Sequence, residues 1–164
     1  TYIRRGEAGA ARRHLQTSQD LFEQAQARDF LPEMHRHFAE TALLSGELPE
    51  AEAQGQQALS LARELAMRGE EGHALRGLGE ISTAQERFDE AEGCLGESLL
   101  ILGEVGDIYG EARSLLALAR LRIVQGEPEA GLTALEQCIP IFERLGAALD
   151  LSAACALREE MQIP

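Results

Sequence analysis

Apolar and small side chains recur along this chain at helical spacing, and the pattern repeats every 40 residues. Ala11, Ala51, Ala91 and Gly131 hold one place in the repeat, and all four are small. Five residues before them stand Gly6, Gly46, Glu86 and Gly126, and seven after them Ser18, Ala58, Ser98 and Cys138. Ten and eleven after them come Leu21-Phe22, Leu61-Ala62, Ile101-Leu102 and Ile141-Phe142. Upstream, Phe38-Ala39, Leu78-Gly79 and Leu118-Ala119 place a large residue before a small one. Composition alone does not hold size classes in register over four copies.

Each period carries two helical patterns and a break. Leu115, Leu118, Ala119 and Ile123 recur at helical spacing, and the run then meets Gln125-Gly126-Glu127-Pro128. Gly ends one helix and Pro is tolerated in the first turn of the next; Pro49 matches Pro128 roughly two periods earlier. Leu95, Leu99, Leu102 and Val105 form a stripe along one face, and Gly106 and Gly146 close their helices. The spacing predicts helices over 7–27, 31–45, 48–66, 70–85, 88–105, 108–125, 128–145 and 148–162. Pro140 falls inside the seventh and is expected to kink it, since it removes a backbone hydrogen bond. Antiparallel helices approach closely only where a backbone meets a small side chain, so Gly79 or Ala119 should face Ala91 or Gly131. One hairpin cannot bury its whole apolar face, and successive copies are expected to stack.

The order of large and small residues resembles the tetratricopeptide repeat. The middle copy has Leu78-Gly79, Ala91, Leu95 and Ser98; the third has Leu118-Ala119, Gly131, Leu135 and Cys138. The first has Phe38-Ala39, Ala51, Gly55 and Ala58, where Gly55 departs from the expected large residue. The resemblance implies an all-α fold, a right-handed α-solenoid of helix hairpins forming one domain. It divides the chain into a partial repeat (1–27), full repeats at 28–67, 68–107 and 108–147, and a partial repeat (148–164). The family's usual period is about 34 residues, so these helices are longer by roughly a turn. Forty-residue versions with segments such as Leu102-Gly103-Glu104-Val105-Gly106-Asp107 resemble sensor regions of large bacterial signalling proteins: transcriptional regulators, nucleotide cyclases and kinases.

Composition agrees with helix. Among 164 residues there is no Trp, 45% are hydrophobic and 26% charged; Ala, Leu, Glu, Arg and Gln dominate, the residues that lose least on entering a helix. The net charge of −13 repels phosphate backbones and anionic lipid, so neither nucleic acid nor membrane is the expected partner. Cys94, Cys138 and Cys155 are odd in number and widely spaced, which argues against a disulfide framework and suits a cytoplasmic setting. No apolar run approaches the roughly 18 residues of a membrane span. The chain opens on Thr1 within a helical pattern, which points to a segment of a longer protein.

Catalytic motifs are missing: there is no phosphate loop, dinucleotide fingerprint, zinc-protease helix or nucleophile elbow. His35 and His37 fall on different sides of a helix, while His14 and His73 lie on others, so no metal site is expected. His35 takes the register of Leu75 and Leu115, a helix-contact position. Glu70-Glu71 and Glu159-Glu160 read as solvated acidic faces, and Cys138 and Cys155 as core thiols. No enzyme activity and no cofactor are expected.

What remains is a binding surface. The resemblance implies that first helices line a concave groove that takes a protein or peptide. By register the inward stripe runs through Glu33, Arg36 and Glu40, then His73, Arg76, Glu80 and Thr83, then Arg113, Leu116 and Arg120. The candidate groove residues are therefore Arg36, Glu40, His73, Arg76, Glu80, Thr83, Arg113, Leu116 and Arg120. Its four arginines could clamp a carboxylate or acidic peptide. A plainer arrangement pairs Arg36 with Glu40 and Arg76 with Glu80 along their own helices. Family members that grip a peptide C-terminus use Lys and Asn on these helices, and this chain has no Asn. The last helix, 149–161, has Leu151, Ala154, Cys155 and Leu157 with no helix to cover them, which predicts self-association through that end. Two functions follow: a protein- or peptide-binding scaffold, or a ligand-sensing regulatory segment of a multidomain bacterial signalling protein.

Overall fold

A computed structural model of the chain describes residues 7–24 and 27–161. These form α1 (Ala8–Gln24), a single 3-10 turn (Arg28–Phe30), α2 (Leu31–Leu44), α3 (Leu48–Glu64), α4 (Arg68–Ala84), α5 (Phe88–Glu104), α6 (Ile108–Val124), α7 (Pro128–Leu145) and α8 (Ala148–Met161). No strand occurs among the described residues. The sequence pattern put every helix in place and missed the 3-10 turn. That turn leads directly into α2, where Pro32 sits in the first turn. Gly6 lies outside the described residues, as do parts of both partial repeats. α7 continues through Pro140 as one element, with the proline on an exposed side.

Every turn from α2 to α8 is built alike. A residue with left-handed backbone stands at Gly46, Ala66, Glu86, Gly106, Gly126 and Gly146, every twentieth position. At the first, Gly46 N–H donates to the Leu43 carbonyl (3.0 Å) and Glu47 N–H reaches back to Ala42 (2.9 Å). The same pair of bonds closes the others, for example Gly106 to Gly103 (3.2 Å) and Asp107 to Leu102 (2.9 Å). This is the Schellman closure, which satisfies the last carbonyls of a helix and reverses the chain at once. The 40-residue repeat is thus two 20-residue units sharing one turn chemistry. Four of these residues are glycines; Ala66 and Glu86 hold the same geometry at φ 54° and 59°. An L side chain there costs about 1–2 kcal/mol.

The small residues meet as their spacing requires. A Cβ at Gly79 would lie 2.6 Å from Leu95 and 3.3 Å from the Ala91 carbonyl, so α4 and α5 touch backbone to backbone. Gly131 approaches the Ala119 carbonyl in the same way, at 3.2 Å, between α6 and α7. Gly55, the departure in the first copy, is filled from the next hairpin: Leu78 and Ile81 lie 2.8 and 3.5 Å from where its Cβ would be. Ser98 does more than supply small size. Its hydroxyl donates to the Gly72 carbonyl (2.8 Å) and meets Ser114 Oγ (2.9 Å), joining α4, α5 and α6 inside the core.

Consecutive helices pack on each other throughout, and the even-numbered helices also pack directly, α2 on α4 and α4 on α6. They make an inner layer, while α3, α5 and α7 cover it as an outer one. The largest core cluster joins α6, α7 and α8 around Leu115, Leu135, Phe142 and Ala154. Cys138 is fully buried there, and burial pushes its thiol up to about 11. Cys155, expected in the core, is only partly buried at the cluster's edge, because α8 packs on α7 alone among the outer helices. No helix of the described residues is long and apolar enough to cross a membrane.

Candidate functional site

The inner layer carries a ladder of charges between helices that are distant in sequence. Arg36 of α2 bonds Glu70 of α4 through Nε (3.3 Å), with Glu33 3.8 Å from its guanidinium. Arg113 of α6 donates to Glu40 of α2 (3.0 Å) across 73 residues, and its Nε stands 3.8 Å from Asp150 of α8. Asp150 also accepts from the Tyr109 hydroxyl at 2.8 Å. Burial alone would raise the pKa of Glu40, but His37, Arg113 and Arg76 together outweigh it and hold the carboxyl well below the usual range. The side chain is therefore an anion near neutral pH.

Arg76 lies beneath the ladder, 1% exposed. Its Nη1 donates to Glu80 at 3.2 Å, whereas Nε is buried with no hydrogen-bond partner. Burial lowers its pKa, helped by the charges of Arg113 and Arg36 and opposed by Glu80 and Glu40. His73 Nε2 sits 3.0 Å from Asp107, whose other oxygen caps α6 by accepting from Gly110 N–H (2.9 Å). Gly110 is required by this arrangement, since a Cβ there would fall 2.6 Å from Asp107 and 2.8 Å from the His73 ring. Burial and the charges of Arg36 and Arg76 push His73 down to about 4 against the pull of Asp107, so the ring is neutral near pH 7.

Along one end of the inner layer runs a cleft of about 670 Å3, a volume in the range of ligand sites. α2 supplies Glu40, Leu43 and Leu44; α4 supplies Glu80, Thr83 and Ala84. α6 contributes Arg113, Leu116, Arg120, Ile123 and Val124, and α8 closes it with Leu149, Asp150, Ala153 and Leu157. Of the nine candidate residues, Glu40, Glu80, Thr83, Arg113, Leu116 and Arg120 line this cleft together. Arg36, His73 and Arg76 do not; they support it from one side and from below. The apolar wall was not foreseen, although the signal was present. Four residues beyond Glu40, Glu80 and Arg120 on the same helix faces stand Leu44, Ala84 and Val124, again 40 apart. The contribution of α8 had no such signal.

The other histidines take structural places. His35 Nδ1 pairs with Gln54 Oε1 at 2.7 Å between α2 and α3, and His37 lies 3.5 Å from both Glu33 and Glu40. Fold and site together define an all-α stack of helix hairpins with a mixed apolar and charged cleft on its inner layer. No family model matches the chain. Over 128 residues it is 29% identical to the regulatory protein AfsR of Streptomyces griseus. That stretch covers 78% of this chain and 12% of the AfsR length, so the likeness is to a small part of a much larger regulatory protein.

Proposed function

We propose that the chain is a binding scaffold of the tetratricopeptide kind, a right-handed solenoid that receives a protein or peptide segment in its inner cleft. The observation that carries this reading is the cleft itself. Three of its lining residues, Leu44, Val124 and Leu149, are large, apolar and more than half exposed although they come from three helices. Exposed apolar side chains converging on one hollow mark a place where something docks. The reading assigns no catalytic step, cofactor, nucleic acid or membrane. Its test is site-specific photocrosslinking on the chain. A crosslinker at position 84 or 124 should capture one discrete polypeptide, and a crosslinker at position 100, exposed on α5, should not. Equal capture from both faces overturns the reading.

The likeness to AfsR favours a second, compatible reading, in which the scaffold is the ligand-sensing segment of a multidomain bacterial signalling protein working in the cytoplasm. Occupation of the cleft would then change the output of a neighbouring domain. An effector activity of the parent protein that ignores Ala84→Trp would count against it. Self-association through α8 belongs to the first reading, and light scattering that gives a monomer at high concentration removes it.

A further inference from the structure

The charges of the cleft differ in how fully they are engaged, and that difference specifies the ligand. Glu40, Glu80 and Asp150 have side chains only 18%, 18% and 8% exposed, and each already meets a cation or hydroxyl donor at 3.2 Å or less. Arg113, 17% exposed, is held between Glu40 and Asp150. Arg120 is different. Its side chain is 48% exposed and touches Glu80 at 3.9 Å, a contact too long for a good hydrogen bond. If Arg120 swings to another carboxylate, Glu80 keeps the Arg76 bond at 3.2 Å and no buried charge is orphaned. A cationic ligand would have to share Glu40, Glu80 or Asp150 with a donor already within 3.2 Å, whereas a carboxylate meets an Arg120 that has no close partner among the described residues.

Resting on the cleft reading above, we propose that the occupant is an apolar peptide segment bearing a single carboxylate, which Arg120 reads. Leu44, Val124 and Leu149 receive its apolar side chains, and the Arg120 guanidinium bonds its one Asp or Glu. A run of acidic residues is disfavoured, because a protein of net charge −13 repels it, while among the described residues lining the cleft only Arg120 is loosely engaged. Arg36, Arg76 and Arg113 serve to hold the inner helices together, not to bind the ligand.

A random peptide display library panned on the whole chain supplies the probes. Enriched peptides should combine large apolar residues with one Asp or Glu. Synthetic members should bind about 5- to 10-fold more weakly in fluorescence anisotropy when that acid becomes Gln. The same swap should change nothing against Arg120→Gln, and Arg120→Glu should turn the preference toward Lys. Ala84→Trp fills the mouth from an exposed position and should abolish binding by every peptide. Peptides blocked by Ala84→Trp but indifferent to their own acid, or preferring Lys on the native chain, overturn the carboxylate inference and leave the cleft reading standing. If no peptide is enriched, or Ala84→Trp has no effect, the cleft reading falls as well.

Discussion

Buried polar and charged side chains are divided unequally between the two helix layers. Thr41, Glu71, Arg76, Ser82, Ser114 and Asp150 stand on even-numbered helices, and among the described residues only Ser98 stands on an odd one. The outer helices bury almost only apolar side chains, such as Leu59, Leu95, Leu102, Leu135 and Phe142, whereas the inner helices bury Leu75, Leu78, Ile81 and Leu121 alongside the polar ones. Apolar volume therefore holds both layers, and the inner layer adds buried polar and charged groups, some of them paired, such as Arg76 with Glu80. Apolar packing tolerates no voids but is indifferent to direction. Charge pairs are directional, and they cost stability when one partner is lost. A stack built this way can keep a rigid outer layer while presenting polar groups at defined positions on the inner one.

The comparison is broken most severely from the outer side. Phe142 is fully buried and its ring meets Tyr109 edge-on at 6.4 Å, so Phe142→Ala should cost about 4 kcal/mol in urea denaturation. It should also disturb the inner layer, because Tyr109 holds Asp150 at 2.8 Å. A Phe142→Ala protein of native stability would refute the division.

Acid should act on the inner layer next. The His73 ring is held neutral with its pKa lowered from 6.5 to about 4, so between those values the unfolded chain binds more protons than the folded one. Stability conferred by this group is complete above about pH 6.5 and is lost as pH falls through 4, with an upper bound of about 3 kcal/mol. Denaturation midpoints measured from pH 7.5 to 4.5 should fall, and His73→Gln should flatten that slope. An unchanged slope in the variant removes His73 from the account.

A smaller effect separates breaking a pair from replacing it. Glu80→Gln leaves buried Arg76 without its carboxylate at 3.2 Å and should cost about 2 kcal/mol. Arg76→Met removes the buried charge and should change stability by no more than about 1 kcal/mol, since Glu80 retains Arg120 and Glu40 retains Arg113. If Arg76→Met proves the more damaging, the inner layer depends on that arginine's packing more than on its pairing.

The smallest effect concerns neither layer. Ala66→Gly and Glu86→Gly relieve left-handed backbone and should each stabilise by under about 1 kcal/mol, with the gain reduced by the freedom glycine adds to the unfolded chain. Gly106→Ala should do the opposite. Thermal melts that show no difference between these turns would mean that neighbouring packing already absorbs the strain.

Much of the fold was legible because its signals are local and repeated. Ala51, Ala91 and Gly131 announce close approach through size alone, and Gly46, Gly106, Gly126 and Gly146 announce the turns. The turns at Ala66 and Glu86 were harder to read, since a residue that merely tolerates a left-handed conformation leaves no mark in its identity. Six of the nine candidate groove residues do line one cleft, because helical register carries face information along each helix. The pairing was less legible. Arg36 meets Glu70 and Glu33, not Glu40 on its own helix, and Glu40 is taken by Arg113 from two hairpins away.

The sequence by itself determined which segments are helical and where each reverses, because propensity, spacing and small side chains act over a few residues. Only the tertiary structure decided which charges are spent and which is left available. That outcome depends on side chains as far apart as Glu40, Arg113 and Asp150 arriving in one place, and on how much water the packing leaves around each.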